Sequence, residues 1–225
     1  YLLNGTKNWI TNGNSASVYL VIAQTDVSKG SKGINAFIVE KNWPGVAVGA
    51  KENKLGIRGS DTHSILFTDV KVPKENRIGE DGFGFKFAMK TLAGGRIGIA
   101  SQALGIASGA YELALNYSKQ RKAFGTEIMN HQIIQFKLAD MATKIEAARL
   151  LCFKAAWEKD NKIDYTLSSS IAKVFSSETA MWTATEAVQI HGGYGFVKEY
   201  HVERLMRDAK ITQIYERTSE LHRLV

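Results

Sequence analysis

The chain of 225 residues is poor in cysteine and proline and has no long apolar run. Its single cysteine, Cys152, excludes an intrachain disulfide and a cysteine-based zinc site, and favours a reducing compartment. No apolar stretch approaches the roughly 18 residues of a membrane-spanning helix, and the first residues do not read as a signal peptide, so we expect no membrane insertion. The histidines lack HxH or HxxxH spacing, so we expect no metal site.

Positive charge is the main compositional bias that remains. The net charge of +7 favours an anionic partner, and charge alone does not separate nucleic acid, a membrane surface and a phosphorylated cofactor. The basic residues are scattered, with no run of five, which argues against a nucleic-acid-binding tail.

The first third of the chain has the pattern of short strands separated by turns. Alternating β-branched and aromatic residues predict strands at 18–23, 34–39, 46–48 and 64–67, and Asn-Gly, Lys-Gly and Pro-Gly sequences lie between them. Both prolines, Pro44 and Pro73, fall in this part. We therefore predict a partial antiparallel β domain over residues 1–73.

After Pro73 the apolar residues recur at helical spacing and proline is absent. We predict helices at about 83–119, 130–159, 166–190, 199–206 and from 214 onward, with Asn130 as the N-cap of the second. Long helices joined by short loops indicate an antiparallel bundle over residues 74–225. The fold class is therefore α+β.

A glycine-rich turn, QIHGGYGF at 189–196, directly follows the third predicted helix. Glycine at a helix C-cap explains part of it, because glycine accepts left-handed dihedrals. Bare backbone also lets a ligand approach closely. Both interpretations stay open, although the motif is not the GxGxxG of a dinucleotide fold, since no strand precedes it.

Three further segments have both a structural and a functional interpretation. At the end of the first helix, Arg121 and Gly125 fit dipole compensation and a glycine C-cap, which leaves Phe124 unexplained. Trp9 at the end of a strand is either a core residue or a surface for a flat cofactor. Glu216, within QIYERTSEL at 213–221, taken alone is a solvated carboxylate beside Arg217.

Together and in this order, these segments resemble the acyl-CoA dehydrogenase family, and most closely its short-chain, butyryl-CoA-type members. The resemblance continues through LGIRGS at 55–60, GRIGIASQALG at 95–105, QIIQFKLADM at 132–141 and RDAKI at 207–211. It implies a partial middle β domain followed by an up-down four-helix bundle. The family's N-terminal helical domain is expected to be lacking here, and the non-Met first residue within a strand pattern favours a fragment.

The resemblance also implies FAD as the cofactor, with contacts drawn from two subunits. Trp9, Ile10 and Thr11 would lie beside the isoalloxazine ring. The remaining implied contacts, to the diphosphate, adenine and adenosine parts and across the subunit interface, are Arg121, Phe124, Gln132, Gln189, Ile190, His191, Gly192, Gly193, Thr218, Ser219 and Glu220.

The implied reaction is α,β-dehydrogenation of a short- to medium-chain acyl-CoA to the trans-2-enoyl-CoA. Glu216 would remove the α-proton while the β-hydrogen leaves as hydride to flavin N5. Burial would raise the pKa of Glu216, and hydrogen bonds from its own backbone N–H and a flavin hydroxyl would polarise the thioester oxygen. The implied substrate contacts are Ala93, Gly94, Gly95, Arg96 and Arg217. Two of them depart from the family pattern, because relatives usually carry glycine at 217 and many carry aspartate at 93.

The expected partners follow from the same resemblance: an acyl-CoA substrate, electron-transfer flavoprotein and further copies of the chain in a dimer of dimers. The expected location is the bacterial cytoplasm or the mitochondrial matrix, as a soluble protein. Two alternatives are an acyl-CoA oxidase-like activity, in which oxygen reoxidises the flavin, and a non-catalytic flavin- or nucleic-acid-binding scaffold.

Overall fold

The computed structural model describes residues 1–225, which form two compact units, Tyr1–Thr91 and Leu92–Val225. The division falls inside the first long helix, α1 (Gly84–Gln120). The first unit is mainly β and the second mainly helical, which confirms the predicted fold class.

The β unit contains six strands in two antiparallel three-stranded sheets. The strands are β1 (Leu2–Thr11), β2 (Val18–Gln24), β3 (Ile34–Glu40), β4 (Val46–Lys51), β5 (Thr62–Lys71) and β6 (Arg77–Ile78). One sheet has the order β1-β5-β4 and the other β2-β3-β6. Because β6 pairs with β3, strand pairing continues beyond residue 73.

The core of the β unit follows the two-residue period of the strands. Val21 of β2, Phe37 and Val39 of β3, and Ile65 and Phe67 of β5 are all buried in one apolar cluster. Burial of each such side chain contributes about 1.5–3 kcal/mol relative to exposure. The alternation in the sequence thus predicts which face of each strand is buried.

The helical unit continues from α1 through two more long helices and two short ones. They are α2 (Gln132–Asp160), α3 (Thr166–His191), α4 (Val202–Thr212) and α5 (Ser219–His222). Between α1 and α2 lies a hairpin of β7 (Lys122–Ala123) and β8 (Thr126–Glu127). No helix of the chain combines the length and the apolar character that crossing a membrane requires.

Four helices share the main core of the helical unit. Ala107 of α1, Met141 of α2, Ala184 of α3 and Ala209 of α4 have no exposed surface and belong to one apolar cluster. Small side chains at helical spacing let neighbouring helices approach closely, which explains why alanine dominates these positions.

A second, smaller cluster surrounds the single cysteine. Cys152 of α2 packs with Ala100, Ala155 and Ala172, and its Sγ lies 3.3 Å from Ser176 Oγ. Burial raises the pKa of the Cys152 thiol, so the group is held as the unreactive thiol form.

The three long helices lie within two residues of their predicted bounds, but the shorter elements differ. The helix predicted at 199–206 runs from Val202 to Thr212. The helix predicted from 214 onward is wrong, since residues 213–218 form turns and only Ser219–His222 are helical. Asn130 is not the cap of α2 either, because it ends a short 3₁₀ turn and His131 occupies the cap position.

Candidate active site and cofactor pocket

The loop between α4 and α5 carries Glu216 in an unusual backbone conformation. Glu216 has φ 52° and Arg217 has φ 80°, so two successive residues with side chains lie in the left-handed region. For an L-residue this conformation costs roughly 1–2 kcal/mol each. The loop is closed at its base by Ser219 N–H, which donates to the Gln213 carbonyl at 3.0 Å.

The Glu216 carboxylate packs against the backbone of α1. A Cβ atom placed on Gly95 would lie 2.7 Å from Glu216 Oε2, closer than real Cβ contacts allow. The same Oε2 atom is buried and accepts no hydrogen bond. The absence of a side chain at Gly95 therefore provides the space that the carboxylate occupies.

Burial is the main influence on the charge of this carboxylate. It raises the pKa of Glu216, while the positive charges of Arg96 and Lys173 act in the opposite direction. Arg96 of α1 is 4% exposed, and its guanidinium donates to Ser170 Oγ at 3.0 Å. The site thus combines a partly buried carboxylate with two buried cations. Titratable groups whose pKa is shifted by burial and by a nearby charge are typical of functional sites.

Buried side chains hold the loop that carries Glu216. The Lys173 ammonium of α3 donates to the Arg217 carbonyl at 2.7 Å, and His222 Nε2 of α5 lies 2.9 Å from the Glu216 carbonyl. The Tyr215 hydroxyl bonds to the Gln102 side chain of α1. Three helices therefore position a segment of three residues.

A separate cavity of about 490 Å³ lies in the helical unit where α1 ends and α3 is capped. Its lining residues are Tyr117, Arg121, Ile128, Ile190, His191, Gly192, Gly193, Tyr194 and Val197. This volume falls within the range of small-molecule sites.

Aromatic rings and one cation shape the walls of this cavity. The Tyr117 ring stacks on His191 at 4.2 Å between centroids, and the Arg121 guanidinium lies 5.6 Å from the centre of the Tyr194 ring. Burial lowers the pKa of His191, whose Nδ1 lies 2.8 Å from the Ala187 carbonyl. With His191 neutral, Arg121 supplies the positive charge among the lining residues.

The glycines of the 189–196 segment have different roles. Gly192 caps α3 with φ 59°, and a Cβ on Gly195 would meet the Val188 carbonyl oxygen at 2.4 Å. Helix capping and close packing thus explain these two. Nothing lies within 4 Å of a Cβ on Gly193, which leaves its backbone open on the cavity wall.

The hairpin after α1 corrects the predicted capping role of Gly125. Phe124 (φ 52°) and Gly125 (φ 84°) form the two-residue turn between β7 and β8, as in a type I′ hairpin. The Phe124 side chain is 97% exposed and so projects from the hairpin tip. Neither Phe124 nor Gln132, the first residue of α2, lines the cavity.

In the β unit, Trp9 is not a core residue. Its side chain is 72% exposed, and its φ of 60° coincides with the irregular register between Lys7 and Ile10 in β1. Thr11, the last residue of the strand, is also exposed, whereas Ile10 is partly buried. The interpretation of Trp9 as a core residue is therefore wrong, and a flat exposed ring remains.

The other predicted contacts fall around these two sites. Arg121 and 190–193 line the cavity, and Gln189 lies just before them on α3. Gly95 and Arg96 of α1 lie beside the carboxylate, Ala93 and Gly94 precede them on the same helix, and Arg217 follows Glu216 in the loop. Thr218 caps α5, which begins with Ser219 and Glu220.

Sequence reasoning missed Lys173 and His222. A signal was present for the lysine, since it is the only charge in the apolar stretch IAKVF at 171–175. A charged residue in the middle of a buried helix face needs a partner, and its partner here is a carbonyl of the Glu216 loop.

Two family models together match nearly the whole chain. The model described as "Acyl-CoA dehydrogenase, middle domain" matches residues 1–70, and "Acyl-CoA dehydrogenase, C-terminal domain" matches residues 82–225. Their junction falls between the strands and the long helices.

Individual relatives give the same result. The short-chain-specific acyl-CoA dehydrogenase of Megasphaera elsdenii is 56% identical over the whole chain, which covers 59% of that protein. The solved butyryl-CoA dehydrogenase of the same organism superposes with a TM-score of 0.98 over 100% of this chain and 59% of its own. A chain in the structure of the electron transferring flavoprotein of Acidaminococcus fermentans is 53% identical, with a TM-score of 0.98 and the same coverage. The sequence thus spans less than two thirds of these relatives.

Proposed function

The chain belongs to the acyl-CoA dehydrogenase family, and on that premise we propose that it serves FAD-dependent α,β-dehydrogenation of a short- to medium-chain acyl-CoA. The product would be the trans-2-enoyl-CoA, with Glu216 as the base for the α-proton. The observation that carries the proposal is the Glu216 carboxylate, whose Oε2 is buried against Gly95 without a hydrogen-bond partner.

The chemistry needs a base stronger than an ordinary carboxylate. The α-proton of a thioester is a very weak acid, so a carboxylate with a pKa near 4 provides little driving force for its removal. Burial raises the pKa of Glu216 and so makes its ionised form a better proton acceptor. We propose that the Glu216 backbone N–H also polarises the thioester oxygen, a contribution of about 3 kcal/mol for one such donor.

The residues around the carboxylate are the proposed substrate contacts. Gly95 of α1 lies directly beside Glu216, Ala93 and Gly94 precede it on the same helix, and Arg96 supplies a buried positive charge. Arg217 is half-buried, and its charge acts on Arg96, which already has its pKa lowered by burial. A cation therefore lies near the base where relatives usually have glycine.

The cavity fits the anionic and aromatic parts of FAD. Its stacked rings suit a flat group, Arg121 suits a diphosphate, and the open backbone at Gly193 allows close approach. We propose that Arg121 and residues 189–193 hold FAD, together with Phe124, Gln132 and 218–220, and that Trp9, Ile10 and Thr11 flank its ring system. When bound, FAD supplies the two-electron acceptor for the reaction.

Replacement of Arg121 by Ala is expected to weaken FAD retention by about 10- to 100-fold. The change removes a charge-assisted contact to phosphate, which is worth about 1.5–3 kcal/mol. Dissociation of FAD, followed by flavin fluorescence during dilution, measures the effect.

Lys122→Ala is the matched control for this prediction. Lys122 is the next residue, is exposed and pairs with Glu127 at 3.4 Å, so its loss should leave FAD retention unchanged. Equal retention in the Arg121 and Lys122 variants would contradict the proposed role of the cavity.

We propose that the active form is a homo-oligomer, a dimer of dimers, that passes electrons to electron-transfer flavoprotein. Large apolar side chains on the helical unit are exposed, including Phe124 at the hairpin tip and Leu150, Phe153 and Trp157 along α2. An exposed group of this kind is typical of protein–protein contact surfaces. The bacterial cytoplasm or mitochondrial matrix stays the proposed compartment.

The visible absorption spectrum of the purified protein tests the proposed function directly. A bound flavin band that bleaches on anaerobic addition of butyryl-CoA is the expected result. A bound flavin that butyryl-CoA leaves unbleached would argue against the proposed reaction. Hydrogen peroxide formed in air at the rate of turnover would instead assign the oxidase-like alternative.

A further inference from the structure

The Glu216–Arg217 segment requires an external restraint to keep its conformation. Left-handed dihedrals are uncommon for residues with side chains, and two in succession are rarer still. Such conformations persist only where surrounding groups fix them. The restraint must therefore come from the groups bonded to this segment.

Lys173 provides one restraint from the middle of α3. The residue has no exposed surface, and its Nζ donates to the Arg217 carbonyl at 2.7 Å. Burial lowers the pKa of Lys173 to about 8, and the negative charges of Glu216 and Glu220 oppose this shift. Fully buried lysines are rare because removing the ammonium group from water is costly. An apolar side chain of similar length would avoid this cost.

His222 provides a second restraint from α5. Its Nε2 lies 2.9 Å from the Glu216 carbonyl, and because a carbonyl only accepts, Nε2 must carry the hydrogen. Burial and the charges of Lys173, Arg96 and Arg217 lower the pKa of His222, which keeps the ring neutral. In this tautomer Nδ1 is an acceptor, and it is buried without a hydrogen-bond donor.

We infer that Lys173 and His222 are positioning residues that hold the Glu216 carboxylate in place through the backbone of its loop. The two carbonyls that they bind belong to the two peptide planes on either side of the Arg217 Cα atom. Fixing both planes fixes the left-handed conformation of Arg217 and orients the peptide that follows Glu216. The inference rests on the proposed function, in which Glu216 is the base.

Hydrogen exchange in the holoprotein tests the positioning role without using activity. Lys173→Met keeps the apolar stem and removes the donor, so amides of residues 215–219 should exchange about 10-fold or more faster, while the rest of α3 stays protected. Lys144→Met is the control. Lys144 is an exposed residue of α2 that lies over the Trp182 ring, away from the Glu216 loop, so its replacement should leave exchange at 215–219 unchanged. Unchanged exchange in Lys173→Met would overturn the inference.

Kinetics give a second readout that a purely structural lysine would not alter. Misplacing the base affects the chemical step, so kcat should fall by about 10- to 100-fold with little change in KM. The charged groups facing Glu216 are Arg96 on α1 and Lys173 on α3. Their positive charges partly offset the rise in the pKa of Glu216 that burial causes. Removing the Lys173 charge should therefore move the acid limb of the kcat/KM profile to higher pH.

The His222 position offers a conservative pair of variants. Gln at 222 can still donate from a nitrogen near the place of Nε2, whereas Leu cannot, so Gln should restore most of the kcat and exchange protection lost in Leu. Equal behaviour of the two would contradict a hydrogen-bonding role. This pair also supplies the test if Lys173→Met fails to fold.

The outcomes separate this inference from the proposed function. If Glu216→Gln keeps the acid limb, Glu216 is not the base, and the proposed function fails whatever the exchange results. The other outcome is that Glu216→Gln removes the acid limb of the kcat/KM profile, while Lys173→Met alters neither that limb nor amide exchange at 215–219. The proposed function then stands and the positioning role fails.

Discussion

Glu216→Gln is expected to lower kcat by about 10²- to 10⁴-fold while FAD and acyl-CoA still bind. The amide has the shape of the carboxylate but no basicity, so only proton removal is lost. Single-turnover reduction of the flavin by butyryl-CoA measures the chemical step, and the flavin spectrum on ligand addition reports binding. Undiminished reduction in the variant would assign the base elsewhere.

The same substitution has a defined effect on stability. Because burial raises the pKa of Glu216 in the folded state, its ionisation opposes folding. This cost grows between the ordinary pKa of 4.5 and the raised folded-state pKa and is constant at higher pH. The Gln variant should therefore be more stable than the parent at neutral pH, with the difference vanishing in acid. The urea midpoints of unfolding of the parent and the Gln variant, compared at neutral and at acid pH, measure this change.

Glu112→Gln on α1 is the control for the effect on flavin reduction. Glu112 is an exposed carboxylate outside both sites, so its replacement should leave flavin reduction unchanged. A similar loss of activity in both variants would indicate that a change of net charge, and not the loss of a base, is responsible.

Gly95→Ala is expected to impair the enzyme and to gain little or no stability from the added methyl group. Alanine in a helix interior is favoured over glycine by roughly 0.5–1 kcal/mol. The new methyl group, however, would lie 2.7 Å from Glu216 Oε2 and must displace it. A displacement of about 1 Å lowers kcat by up to about 10²-fold. Thermal unfolding and steady-state kinetics measure the two effects.

Gly105→Ala gives the matched comparison on the same helix. A Cβ at Gly105 meets nothing within 4 Å, so this variant should gain stability without loss of activity. If Gly95→Ala behaves like Gly105→Ala, the close packing of the carboxylate on α1 is not important for the reaction.

The sequence pattern predicts the three long helices and two of the strands, but not the full length of the two longest strands, β1 and β5. The strands β2 and β3 alternate with a two-residue repeat, and the helices α1 to α3 lie in long segments without proline. The ends of all five elements agree with the predicted ends within two residues. Helical spacing predicts a helix from 214 onward, but the chain is not helical before Ser219. Bonds from distant side chains, which local propensity does not describe, hold this segment instead in a left-handed turn.

The candidate site was predicted only in part. Glu216 and Gly95 were identified through a resemblance, and no local feature of QIYERTSEL distinguishes this carboxylate from a solvated one. Its burial depends on α1, about 120 residues earlier in the chain. The partners of Lys173 and His222 are backbone carbonyls, which leave no sequence pattern, so the lone charge in IAKVF indicates that Lys173 needs a partner but not which group that partner is.

The buried thiol of Cys152 can report local opening of the helices that pack around it. Because this is the single cysteine and it lies among Ala100, Ala155 and Ala172, a thiol reagent can reach it only when the packing of these helices is transiently lost. The labelling rate of the unaltered protein therefore measures how often this part of the helical unit opens. The change in that rate on addition of flavin nucleotide or thioester measures how far each ligand suppresses the opening, and no engineered probe is needed.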